Sequence, residues 1–309
     1  MGQIIIGIHG LANKPPKEEL EEYWYKSIAE GLDNIGAKSE GINFKLVYWA
    51  NYLYKYQLHR EKGYEFDSYY NNEPYIKAKP NALEVHDDDW KDKFRAFTGN
   101  ILGSGMDWAK RSFDFDGLAN AVLKAKLKDL DFYYQGKNVI TQEGQKQSAK
   151  DVFRAELTNV LLEHQNDQIM LIAHSMGSII AYDVLRNLGR NSPGTKVDHF
   201  ITIGSPLGLP HVKNQIVRDR ESMGFAMAQE VRTPTVITKS WVNYSDPLDP
   251  VALDTCLSDD YGPNDNEVQV IDDIVINDYL SELENRNHHK SYGYLRTPEI
   301  SKSISTFIG

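Results

Sequence analysis

Cysteine is almost absent: Cys256 is the single one in 309 residues. A lone thiol excludes an internal disulfide and a cysteine-based zinc site, fits a reducing compartment, and is expected to be buried or inert. Long apolar runs are missing too, and nothing approaches the ~18 consecutive apolar residues that a membrane span requires. The opening segment Met1-Gly2-Gln3-Ile4-Ile5-Ile6 has neither a basic stretch nor a long apolar one. It reads as a strand rather than a signal peptide, and the expected location is the cytoplasm. Positive charge is scarce, with 34 Lys and Arg against 44 Asp and Glu and a net charge of −10. Phosphate binding needs clustered, uncompensated cations, so a nucleic-acid partner is not expected, and anionic lipid gains no special attraction. Internal repeats and low-complexity tracts are also missing.

What is present is an ordinary globular composition, 41% hydrophobic and 25% charged, in a chain long enough for a large α/β core with or without a smaller cap. Ile4 to Ile8 is a β-branched run that ends at His9-Gly10, a buried strand feeding a loop. Leu20, Trp24, Ile28 and Leu32 recur at helical spacing between Lys17 and Leu32, and Phe44 to Trp49 reads as the next strand. The same alternation resumes later: a helix from about Ser148 to His164, a strand Ile169 to Ala173, a helix Ser178 to Leu188. Strands follow at Val197 to Ile203, Thr235 to Tyr244 and Val268 to Val275, and a closing helix runs from Pro298 to Phe307, with proline suited to a first turn. Strand and helix in alternation predict a mostly parallel sheet flanked by helices.

Residues 50–139 break this rhythm. The stretch is Tyr-rich and acidic, with helix-like spacing near Trp90 to Leu102 and Leu118 to Leu130, and it is far longer than a normal α/β connection. It reads as an inserted, largely helical cap or lid on a core formed by residues 1–49 and 140–309. Its tyrosines are expected mainly to pack cap on core. The run Asp87-Asp88-Asp89 reads as a solvated helix start, because consecutive carboxylates point in different directions and make a poor metal cage.

The chemistry concentrates at Ala173-His174-Ser175-Met176-Gly177, set directly between an apolar strand and an apolar helix. A tight strand-to-helix turn there lifts a serine hydroxyl clear of the sheet, and crowding in that turn demands the small residues Ala173 and Gly177. Later in the chain, Asn287-His288-His289-Lys290-Ser291-Tyr292 supplies two adjacent histidines in a polar loop, of which only one can point into a site. Asp246 and Asp249 each precede proline just after the strand Thr235 to Tyr244, held extended at a loop start; an Asx-type turn is the alternative for either. His199 begins a strand and His211 follows Pro210 in a loop, so core or surface roles suit them.

On these motifs the chain resembles the α/β-hydrolase superfamily, and its lipase-like members in particular, over residues 1–49 and 140–309. The pentapeptide departs from the usual Gly-x-Ser-x-Gly at Ala173. The resemblance implies an α/β-hydrolase fold with Ser175 as nucleophile and the acid and base following it in chain order. It favours His289 over His288, because His-Lys-Ser-Tyr is similar to the family's histidine loop, and Asp249 over Asp246, because Asp249-Pro250-Val251 is similar to its acid loop. It further implies an oxyanion hole from the amides of Leu11 and Met176, with His9, Gly10, His174 and Gly177 in support. Gly204-Ser205-Pro206-Leu207-Gly208 is similar to a segment near the active-site floor, or is a simple turn.

The activity so implied is hydrolysis of a carboxylic ester or lipid-like acyl substrate through an acyl-enzyme, without metal or organic cofactor. An acyltransferase, thioesterase or amidase would use the same residues, and a non-catalytic binding protein could keep the fold. Nothing in the pattern fixes an oligomeric state.

Overall fold

Six strands build the central sheet: β1 (Gln3–Ile8), β2 (Phe44–Val47), β3 (Gln168–His174), β4 (Val197–Ile203), β5 (Ile237–Ser245) and β6 (Val270–Ile274). Their order is β6-β5-β4-β3-β1-β2, and every pairing is parallel. The computed structural model describes residues 2–54, 74–79, 130, 132–141, 143–192, 194–222, 231–282, 284 and 286–309. Most of the stretch expected to form a cap, including Asp87-Asp88-Asp89 and all but the end of its two helix-like patterns, lies outside them.

Parallel strands are joined by crossovers that lay helices on both faces, which is why these strands read as continuous apolar runs instead of alternating ones. The side chains of β1 divide between two cores by parity. Ile4, Ile6 and Ile8 join one hydrophobic cluster with Ile169, Leu171 and Ala173 of β3, while Ile5 joins the other with Met170 and Ile172. Helices α1 (Lys17–Asn34), α5 (Ser291–Leu295) and α6 (Pro298–Ile308) cover the second face. Helices α2 (Ala149–Glu163), α3 (Met176–Asn191) and α4 (Pro210–Ser222) cover the first. Each fully buried Leu or Ile in these layers contributes roughly 1.5–3 kcal/mol.

Helices α4 and α5 were not anticipated; α5 begins inside the stretch read as the polar histidine loop. His211 lies in the first turn of α4, not in a loop; Pro210 opens this helix, the place where its missing N–H is least costly. The register sets the site. Ile8 pairs with Ala173, His174 with Ile203 and Ile203 with Tyr244, so β1, β3, β4 and β5 all end at one level. The order in which strands are added reverses between β1 and β3, the connection after β1 running outward to β2 and that after β3 to β4. This is the switch point at which open parallel sheets hold ligands.

Tyrosines described near either end of residues 50–139 pack on the core: Tyr133 is fully buried and donates to Asp183 at 2.8 Å, and Tyr75 donates to Glu30 at 3.1 Å. Among the described residues no helix is long and apolar enough to cross a membrane.

Candidate active site

Ser175 stands at the bend between β3 and α3 with φ 56° and ψ −129°. A non-glycine residue held there stores backbone strain of order 1–3 kcal/mol and marks a functional turn. The following glycine is required sterically: a Cβ on Gly177 would lie 2.7 Å from the carbonyl oxygens of Ile8 and His9. Gly10 is required for the opposite approach, since its Cβ would come within 2.6 Å of the Ser175 Cβ. The loop carrying Gly10 and Leu11 therefore rests against the serine. Met176 is the first residue of α3, where the helix supplies no carbonyl for its N–H. The hydroxyl stands above the sheet but not in open solvent, for Ser175 is 2% exposed.

Ser175 Oγ lies 2.9 Å from His289 Nε2, and His289 Nδ1 lies 2.7 Å from Asp249 Oδ2. The Asp249 side chain is fully buried and that of His289 is 11% exposed. A carboxylate can only accept, so Nδ1 carries the imidazole proton and Nε2 is left to accept from the serine hydroxyl. Asp249 Oδ1 accepts from the Val251 amide at 2.8 Å, the Asx turn weighed as its alternative role. One carboxylate thus makes both contacts, through different oxygens.

The second histidine has its own aspartate. His288 Nδ1 lies 3.1 Å from Asp246 Oδ2, which also accepts the Asn277 amide at 2.8 Å. Neither residue touches Ser175. Asn277 is fully buried, and its Nδ2 donates to the carbonyls of His288 and Lys290 at 3.0 and 2.8 Å, fixing the histidine loop at both ends. Tyr294 in α5 ties the two acidic residues together: it accepts from the Asp246 amide at 2.9 Å and donates to Asp249 Oδ2 at 2.8 Å. Burial, then the Asp249 and Asp246 charges, push this phenol well above the usual tyrosine range, so it stays protonated and donating. Neither Asn277 nor Tyr294 has a sequence signal of its own; each is found by following the carboxylates.

His9 and His174 flank the site in different ways. His174 Nε2 reaches the carbonyl of His289 at 2.8 Å, with the rings 4.7 Å apart. His9 donates through Nδ1 to the Gly10 carbonyl at 2.7 Å and accepts the Trp49 amide on Nε2 at 3.1 Å, stacked on the Trp49 ring. Burial, with the Lys14 charge adding to it, lowers this imidazole to about 3, so it is neutral and fixed in one tautomer. His199 lies apart, its Nδ1 2.8 Å from Ser240 Oγ. Cys256 is exposed, so of the expected buried or inert thiol the burial does not hold, while partial desolvation and the Asp272 charge raise its pKa, which disfavours the thiolate. Among the described residues no group of His, Cys, Asp and Glu could hold a metal ion.

The parallel sheet, its helical layers and the strained turn at Ser175 have the architecture of an α/β-hydrolase fold. The Lecithin:cholesterol acyltransferase family matches residues 150–227, from α2 through the elbow into the segment after α4. Among solved structures, the chain is similar to a "Putative hydrolase" from Agrobacterium vitis S4, at 13% identity and a TM-score of 0.31 over 54% of this chain and 73% of that one. It is also similar to a variant of PytH, at 13% identity and a TM-score of 0.31 over 100% of this chain and 98% of that one. No curated protein matches the sequence.

Proposed function

We propose that the chain is a serine hydrolase that cleaves a carboxylic ester or lipid-like acyl substrate through an acyl-enzyme on Ser175. The observation that carries this reading is the continuous hydrogen-bonded line from Ser175 Oγ through the His289 ring to the buried Asp249, at 2.9 and 2.7 Å. Ser175 Oγ attacks the acyl carbonyl carbon while His289 Nε2 takes its proton. Asp249 holds the tautomer and stabilises the imidazolium. The amides of Met176 and Leu11 receive the oxyanion, a role in which one donor is worth about 3–4 kcal/mol of barrier. The imidazolium returns its proton to the departing alkoxide, and water, deprotonated by His289, then releases the acid. No step calls for a metal or organic cofactor.

The family matched over residues 150–227 favours a second reading, in which an alcohol replaces water as acceptor and the same acyl-enzyme performs transfer. A panel of p-nitrophenyl esters of increasing chain length, run with and without an added long-chain alcohol, tests both. Hydrolysis predicts free acid as the main product at every alcohol concentration. Transfer predicts that ester product displaces acid as the alcohol rises. Loss of all turnover in Ser175→Ala is required by either reading, and a variant that remains active contradicts both.

A further inference from the structure

Gly204-Ser205-Pro206-Leu207-Gly208 follows β4, and its Ser205 reaches the backbone of the elbow through Ser178. Ser205 Oγ lies 2.7 Å from Ser178 Oγ, and Ser178 Oγ lies 2.5 Å from the carbonyl oxygen of Ser175. The same carbonyl accepts the Ser178 amide at 2.9 Å, and the Leu207 amide donates to Ser205 Oγ at 3.2 Å. Ser178 is fully buried and Ser205 nearly so.

Proton counting fixes the direction of this chain. The Ser175 carbonyl can only accept, so Ser178 spends its single hydroxyl proton there. Ser205 must therefore donate to Ser178, and the Leu207 N–H, which can only donate, completes the line. The relay runs from Leu207 N–H through Ser205 and Ser178 to Ser175 O.

Its end point matters because the Ser175 carbonyl and the Met176 N–H belong to one planar, trans peptide and point in opposite directions. Two hydrogen bonds that anchor the oxygen below therefore aim the N–H above. Donation to a peptide oxygen also polarises the amide and strengthens its N–H as a donor. We propose that Ser178 and Ser205 are positioning residues that orient and polarise the Met176 amide as an oxyanion donor, which gives Gly204–Gly208 a role that the triad does not use. This inference rests on the reading of Ser175 as nucleophile.

Protein labelled with ¹⁵N-methionine and freed of its donor by Ser205→Ala tests it in two ways. The Met176 amide proton, identified by Met176→Leu, is expected to move upfield while that of Met170 in β3 stays in place. Ester turnover is expected to lose about tenfold in kcat with KM unchanged and the pH midpoint of kcat/KM unmoved, a smaller loss than removing a whole oxyanion donor. Ser178→Ala is expected to lose more, and Ser178→Ala/Ser205→Ala no more than Ser178→Ala alone, because the relay acts as a unit. If Ser205→Ala does not fold, Ser205→Cys, whose thiol donates weakly, is expected to shift both readouts in the same direction. An unmoved Met176 amide, a kcat within about twofold of wild type, or a displaced pH midpoint overturns the proposal. Failure of the nucleophile reading is visible separately, as a wild type that turns over no ester; the amide shift then still decides whether the relay exists.

Discussion

His288 and His289 are neighbours in sequence and partners of different carboxylates, and that division decides which of them is offered as base. Only His289 reaches the serine, at 2.9 Å, while His288 spends its Nδ1 on Asp246 at 3.1 Å. We expect His289→Ala and Asp249→Asn each to lower turnover by about 10⁴-fold, as removal of a triad member does elsewhere, and His288→Ala to stay within about tenfold of wild type. The check is steady-state kinetics on one ester; an active His289→Ala beside an inactive His288→Ala would transfer the role. At this scale the serine was legible because strand, bend and helix surround it in the sequence. The choice within each pair was not legible from chemistry alone, since both aspartates precede proline and both histidines share one loop. Tyr294 and Asn277 were invisible, because a tyrosine in a short helix and an asparagine after an edge strand look like any others until the carboxylates they hold are known.

The elbow works as an element only because β1 and α3 pass at van der Waals limits. Gly177→Ala forces a methyl to 2.7 Å from two carbonyl oxygens, and overpacking of this kind typically costs about 1–3 kcal/mol. We therefore expect a lower urea midpoint in Gly177→Ala together with lost turnover, because relief requires β1 and the Gly10 loop to separate from the serine. A midpoint equal to wild type would show that the turn has room to spare. Most elements were legible from the period of their apolar residues: β4 and α1 start where the pattern starts, and β1 ends where its pattern ends. Helix α4 was not, because among its residues Val212 and Ile216 are the fully buried apolar ones, and in a sequence as polar as His211-Val212-Lys213-Asn214-Gln215-Ile216 two such residues leave no stripe to read. The strand expected to reach Trp49 stops at Val47; the Trp49 amide is taken instead by His9, a partner that no local pattern announces.

Across the whole molecule, the sheet order β6-β5-β4-β3-β1-β2 brings four loops from distant parts of the sequence to one edge. The alternation of strand and helix implied a parallel sheet, but the order and the level at which strands end are properties of packing between segments, and no single segment encodes them. The fully buried His9 ties this assembly to pH. Its imidazole falls from the ordinary 6.5 to about 3 on folding, so between those values the unfolded chain binds a proton that the native one refuses. Stability is then full above about pH 6.5 and is lost as the pH falls toward about 3, by about 1.4 kcal/mol per pH unit from this group. His9→Asn should remove that contribution whatever it does to the absolute level. The comparison is between the slopes of unfolding free energy against pH, from urea titrations of the two proteins. Parallel slopes would mean that His9 takes up its proton in the folded state.

The central claim is that Ser175 is a nucleophile activated by His289. Its most direct test is the intact mass of the protein after exposure to a fluorophosphonate, followed by peptide mapping of the adduct. The account predicts one adduct per chain, on the peptide carrying Ser175, absent from Ser175→Ala and formed far more slowly by His289→Ala. A folded wild type that stays unmodified from acid to alkaline pH, or an adduct on any other residue, would contradict it.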